Sequence, residues 1–78
     1  MTRLLLLGPA RSAAGVRHDE LPGGTVAEVL AAAVARYGAA FEDVLAVSQV
    51  WLNREPVERS VEVGPHDELV VLPPVSGG

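Results

Sequence analysis

The sequence predicts an α+β domain in which one helix lies across one face of a mixed sheet. Three observations carry this expectation. Residues 25–38 read as an amphipathic helix with both a start and a stop signal. The two most apolar runs, residues 4–7 and 69–72, lie near opposite ends of the sequence. Between them, short apolar or alternating runs are separated by Gly, Pro, Asn and Asp, as strands and turns are.

In chain order, residues 3–7 are the first strand, and four consecutive leucines point to a central, buried position. Gly8-Pro9 breaks it, and residues 10–15 read as a loop. Residues 16–21 form a second strand with Arg17, Asp19 and Glu20 in water, so the first two strands make a hairpin. Pro22-Gly23-Gly24 is a turn. Thr25 is an N-cap with Glu28 three residues later, which together spell a capping box. Val26, Val29, Leu30, Ala33, Val34 and Tyr37 then recur at helical spacing. Gly38 ends the helix in the C′ position. Phe41, Val44 and Leu45 share one face of a possible short helical turn. Residues 50–52 read as a strand, Asn53-Arg54-Glu55-Pro56 as a tight turn, and Val61 and Val63 as an alternating segment. Gly64-Pro65-His66-Asp67 is a further turn before the last strand, residues 69–72. The first and last strands are expected side by side at the centre of the sheet.

Size and composition bound the function. Seventy-eight residues make one domain, and 49% hydrophobic content gives it a core built mostly of Leu, Val and Ala. There is no cysteine, which excludes disulfides, thiolate catalysis and Cys-rich metal sites. All six basic side chains are arginine, so no internal lysine is available as an isopeptide acceptor. The net charge of -4, with no basic stripe, argues against nucleic acid as a partner and suits a locally basic protein surface. No uncharged run approaches the roughly 18 residues of a membrane span. A cytoplasmic protein without a membrane partner, monomeric when isolated, is expected.

The ending is the sharpest functional signal. Residues 1–72 are expected to form the domain, and residues 73–78, Pro73-Pro74-Val75-Ser76-Gly77-Gly78, a flexible tail presented by the last strand. Pro73 and Pro74 lack backbone donors, so sheet pairing should end there. Gly77 and Gly78 have no Cβ and can enter a narrow channel. The Gly78 carboxylate is therefore the candidate reactive group, with Gly77 as its spacer. Leu72, Pro73, Pro74, Val75 and Ser76 are candidate partner contacts. His18 and His66 are too isolated to suggest a metal site, and Trp51 and Phe41 either pack or anchor a protein contact, with packing favoured because the core has few large side chains.

These residues resemble the MoaD family, the small subunit of molybdopterin synthase, a relative of the thiamine sulfur carrier ThiS and of ubiquitin. The resemblance covers essentially the whole chain. It rests most on Leu72-Pro73-Pro74-Val75-Ser76-Gly77-Gly78, and also on Gly64-Pro65-His66-Asp67-Glu68-Leu69, Leu52-Asn53-Arg54-Glu55-Pro56-Val57 and Ala10-Arg11 through Gly15. Leu72 stands where many members have phenylalanine, Ser12 where many have glutamate, and Gly8 near a position often held by alanine. The resemblance implies a ubiquitin-like β-grasp fold and a carboxyl terminus that is adenylated, converted to a thiocarboxylate and used as a sulfur donor to cyclic pyranopterin monophosphate. It also implies that Arg11 touches a partner. No cofactor is expected on the isolated chain, since ATP and Mg would be supplied at an E1-like, MoeB-like activating enzyme. The other implied partners are a MoaE-like large synthase subunit and a sulfur donor protein. Thiamine, cysteine or tRNA thiolation, ubiquitin-like protein modification and an inert interaction domain are the competing readings.

Overall fold

The computed structural model describes residues 1–74; the expectations for Val75, Ser76, Gly77 and Gly78 lie outside the described residues. The elements run β1 (Thr2–Leu6), α1 (Gly8–Ala14), β2 (His18–Leu21), α2 (Val26–Tyr37), α3 (Ala39–Ala46), β3 (Gln49–Leu52), β4 (Glu55–Pro56) and β5 (Glu68–Leu72). The five strands form one mixed sheet in the order β2-β1-β5-β3-β4. As expected, the two most apolar strands are neighbours near the centre: β1 and β5 pair in parallel, with Leu4 opposite Leu69 and Leu6 opposite Val71.

Alternation along the strands sorts the side chains into two faces. Leu4, Leu6, Leu69, Val71 and Val50 point toward the helices and are buried with Val26, Val29, Leu30, Ala33, Phe41 and Leu45. Phe41 closes this core, its ring edge-on to Tyr37 with centroids 5.1 Å apart. The aromatic is core, as the sequence suggested.

The helix α2 follows the sequence closely. Thr25 Oγ1 accepts from Glu28 N–H, and Glu28 Oε1 accepts in turn from Thr25 N–H and Gly24 N–H. The capping box thus satisfies donors that a helix start leaves open. Replacing Thr25 by Ala is expected to cost about 1 kcal/mol. That corresponds to a fall in thermal midpoint of about 4–8 °C for a domain of this size. A thermal melt followed by circular dichroism checks it, and an unchanged midpoint would mean the cap is not holding the helix.

Four details differ from expectation. Residues 10–15 are not a loop, because Gly8–Ala14 is helical. Pro9 sits in the first turn, where its missing N–H is no loss, and the alanines that follow are good helix formers. Gly15 closes α1 in the left-handed region, donating its N–H to the Arg11 carbonyl at 2.9 Å. The antiparallel strands β1 and β2 are therefore linked through a helix, not by a short hairpin loop, and β2 begins at His18. Gly38 does end α2, but with φ 93 and ψ -168 it is no left-handed C′ residue; it is the elbow from which α3 starts directly. Finally, residues 61–63 form no strand; a bridge between Thr25 and Glu62 and backbone bonds tie them to the start of α2, and Val63 packs against the core.

The turn after β3 is tighter than its sequence suggests. Asn53 and Arg54 both take positive φ, 49 and 75, and Glu55–Pro56 pairs back on Leu52 and Trp51 as the two-residue β4. Asn53 is fastened twice: Nδ2 donates to Asp67 Oδ1 at 2.8 Å, and Oδ1 accepts from Glu68 N–H at 3.0 Å. Asp67 Oδ2 accepts from Gly64 N–H at 2.8 Å. Two turns at the same end of the sheet are thereby tied to the start of β5.

Candidate functional site

Parallel pairing of β1 with β5 fixes where the tail begins. Both strands run toward the same end of the sheet, and Gln49, the first residue of β3, lies opposite Leu72. The start of α1, the residues after α3 and the end of β5 therefore meet at one edge. Leu72 and Pro73 are half-buried there and Pro74 is exposed. Arg11 is exposed on α1, the helix that leaves β1 at this same end and touches β5. Of the predicted site residues, the structure thus brings together Leu72, Pro73 and Pro74, with Arg11 on the adjoining helix.

The helix-free face of the sheet adjoins this edge. Cross-strand register lines up His18, Leu5, Val70, Trp51 and Pro56 in a row across all five strands. Leu5, Val70, Leu72 and Trp51 are half-buried apolar side chains with no helix over them. Trp51 is therefore half-buried outside the core, whereas the sequence favoured packing for it over a protein contact. Its Nε1 donates to Gln49 Oε1 at 3.1 Å along the same face. Toward the far end the face turns polar, with Arg3 opposite both Glu20 and Glu68. An apolar centre with a charged border is the make-up of a protein-binding surface.

Sequence reasoning missed Val47. It follows α3, is 67% exposed, and lines a notch of ≈ 300 Å³ with Gln49, Leu72, Pro73 and Pro74. Its spacing of three from Val44 suggests a shared helical face, but α3 ends at Ala46 and turns Val47 outward.

Among the described residues, no group of three or more His, Cys, Asp or Glu side chains could hold a metal ion. The one ion pair among them, Arg36 to Asp19 at 2.8 Å, belongs to the scaffold. Asp19 was expected in water but is half-buried, accepting from the Tyr37 hydroxyl and from Arg36. These two hydrogen bonds, Tyr37's the stronger influence, hold the Asp19 carboxyl below the usual carboxylate range. Burial, then the Asp19 partner, pushes the Tyr37 phenol up, so it stays protonated as the donor. Asp67 is likewise held low, first by Asn53 and then by Gly64 N–H.

A depressed folded-state value means the carboxylate contributes stability above its unfolded value of about 4, lost as pH falls through the folded value. The thermal midpoint is expected to drop as pH is lowered from 5 toward 3, and Asp19→Asn to flatten part of that drop. Melts at a series of pH values test this; equal slopes for both proteins would remove Asp19 from the account.

Comparison with known proteins agrees with this geometry. No curated protein matches the chain. Among solved structures, SAMP1 from Haloferax volcanii is 27% identical with a TM-score of 0.83, covering 99% of this chain and 98% of that one. A chain of the Amycolatopsis orientalis BexX/CysO complex is 24% identical with a TM-score of 0.85, covering 100% of both. The putative molybdopterin converting factor subunit 1 from Pyrococcus furiosus is 24% identical with a TM-score of 0.81, covering 95% of this chain and 97% of that one. The last two likenesses speak for the fold, a ubiquitin-like β-grasp. Residues 4–78 match the ThiS family, a span that takes in the sheet, all three helices and the tail. The chain belongs to the ThiS family of β-grasp sulfur carriers.

Proposed function

We propose that this chain carries sulfur on the Gly78 carboxylate and serves as the small subunit of a molybdopterin synthase. The observation that carries the reading is the Pro73-Pro74-Val75-Ser76-Gly77-Gly78 ending on a ThiS-family domain, joined to a strand anchored on both sides.

A carboxylate is a poor electrophile because its charge is delocalised. Its oxygen attacks the α-phosphorus of ATP at an E1-like, MoeB-like enzyme, and pyrophosphate leaves. Hydrosulfide released by the sulfur donor then attacks the acyl carbon; a C–S bond forms, the C–O bond to AMP breaks, AMP leaves, and loss of the S–H proton gives the thiocarboxylate. Covalent activation divides one difficult transfer into easier steps. The domain supplies no acid or base to this sequence. It supplies position: an apolar sheet face and Arg11 for docking, and a narrow tail that reaches the partner's site. A MoaE-like subunit contributes the pterin pocket, and a donor protein the sulfur. All of these partners belong to the cytoplasm.

Intact mass after incubation with ATP, Mg, the activating enzyme and a sulfur donor tests the carrier chemistry. Exchange of oxygen for sulfur adds about 16 Da. Conversion of the pterin precursor with the large subunit then tests the acceptor. No gain beside an activating enzyme shown to be competent would sink the reading.

A second reading, protein modification, is favoured by the 27% identity to SAMP1, a relative of which is described as small archaeal modifier protein 1. It requires amide bonds between Gly78 and target lysines. Conjugates in extracts that survive thiol treatment would favour it over the carrier.

A further inference from the structure

We infer that the notch beside the tail root receives an apolar side chain from the rim of the enzyme that activates Gly78, and that Val47 is the residue through which that enzyme senses a correctly seated carrier. The inference rests on the proposed carrier function and adds to it a specificity-determining residue.

Four properties of the notch select this occupant. Val47 has no part in the core, yet it presents a branched apolar side chain at 67% exposure, where a helix end tolerates polar residues at least as well. Two of the polar atoms around it are already engaged. Ser48 Oγ donates to the Val44 carbonyl at 2.7 Å, and Gln49 Oε1 accepts from Trp51. Among the described residues, no charged side chain lines the notch. Pro73 and Pro74 form one wall and carry no N–H, so an added strand would find no donors there. A side chain fits this chemistry, whereas an extended peptide or an ion does not.

The tail's length supplies the partner. Four residues, Val75 to Gly78, follow Pro74. Fully extended they span about 14 Å. An enzyme that holds the Gly78 carboxylate in a nucleotide site must bring the mouth of its channel within that reach of Pro74. Val47 and Leu72 then lie under the rim. The notch is also continuous, through Leu72 and Gln49, with the apolar sheet face beside it. A charge placed in a desolvated apolar contact is costly, and a residue near the centre of a contact can change affinity by about tenfold.

The test compares the wild type with Val47→Asp, Val47→Ala and Val47→Ile in ATP–pyrophosphate exchange driven by the cognate activating enzyme. Val47→Asp is expected to raise KM for the carrier by about tenfold with kcat unchanged. Val47→Ala is expected to fall between, and Val47→Ile to match the wild type. Thermal midpoints should agree across the series, since the side chain is exposed. A Val47→Asp KM within about twofold of wild type overturns the inference while leaving the carrier function standing. An altered kcat at constant KM gives the notch to the chain's own tail and overturns it too. So does a wild-type dimer in light scattering that Val47→Asp dissolves, which gives the notch to a second copy. A wild-type chain that supports no exchange overturns the carrier function, and this inference with it.

Discussion

Deletion of Gly78 is expected to abolish the sulfur mass gain completely while leaving the thermal midpoint within about 1 °C of wild type. The two halves of this result have separate causes. Among the described residues, every one buried in the core lies between Thr2 and Val71, and a terminal glycine has no side chain to add to that burial. The chemistry, in contrast, belongs to one carboxylate at one distance from Pro74. Shortening the tail by a residue withdraws that group by about 3.5 Å, and a misplacement of about 1 Å already costs an enzyme heavily. Gly78→Ala separates reach from shape. It restores the length but adds a Cβ beside the activated carbonyl, so slow activation, not its absence, is expected. A deletion that still gains sulfur would place the reactive group elsewhere. A deletion that melts early would give the tail a structural role.

The second large effect is at Phe41. Its side chain, carried by α3, is fully buried in the core and meets Tyr37 of α2 edge-on. Phe41→Ala is expected to cost about 3–5 kcal/mol, the usual range for emptying an aromatic site in a core. A domain of this size holds only about 5–15 kcal/mol in total, so the variant should be partly unfolded at moderate temperature. Denaturant unfolding at several temperatures measures it. Because α3 hands the chain to Val47 and then to β3, the tail root should lose its shape along with the core. Sulfur transfer should therefore fall with the folded fraction, and recover when the variant is cooled. A loss below about 1 kcal/mol would mean that α3 is not docked as described.

What the sequence revealed and what it hid follow from element length. Twelve residues of α2 give several turns of apolar repeat with a cap at the start, and both β1 and β5 are unbroken apolar runs, so these three elements could be located before any coordinates. Seven residues of α1 are too few for periodicity to declare itself, and its Pro9 carries two opposite meanings, breaker and starter. Two-residue β4 exists only because Asn53 and Arg54 fold back on β3, which no local pattern required. For the candidate site, Leu72, Pro73 and Pro74 were readable from composition and order. Val47 was not, and for Trp51 the choice between packing and a protein contact stayed open. Which side of a strand Trp51 faces depends on register, and Val47 sits where helical spacing gives way to strand spacing. A wet Asp19 was the natural reading of an exposed strand; its clamp to Tyr37 depends on α2 crossing β2 at that height.

The setting of β5 also decides how the molecule responds to force. A partner that draws the tail into a channel pulls along the axis of β5. That strand is hydrogen-bonded to β1 on one side and to β3 on the other. Tension along the axis therefore loads both rows of bonds sideways and together, whereas an edge strand would peel away one bond at a time. Pulled by its tail, the domain behaves as a bolt seated between two plates, with both rows sharing the load.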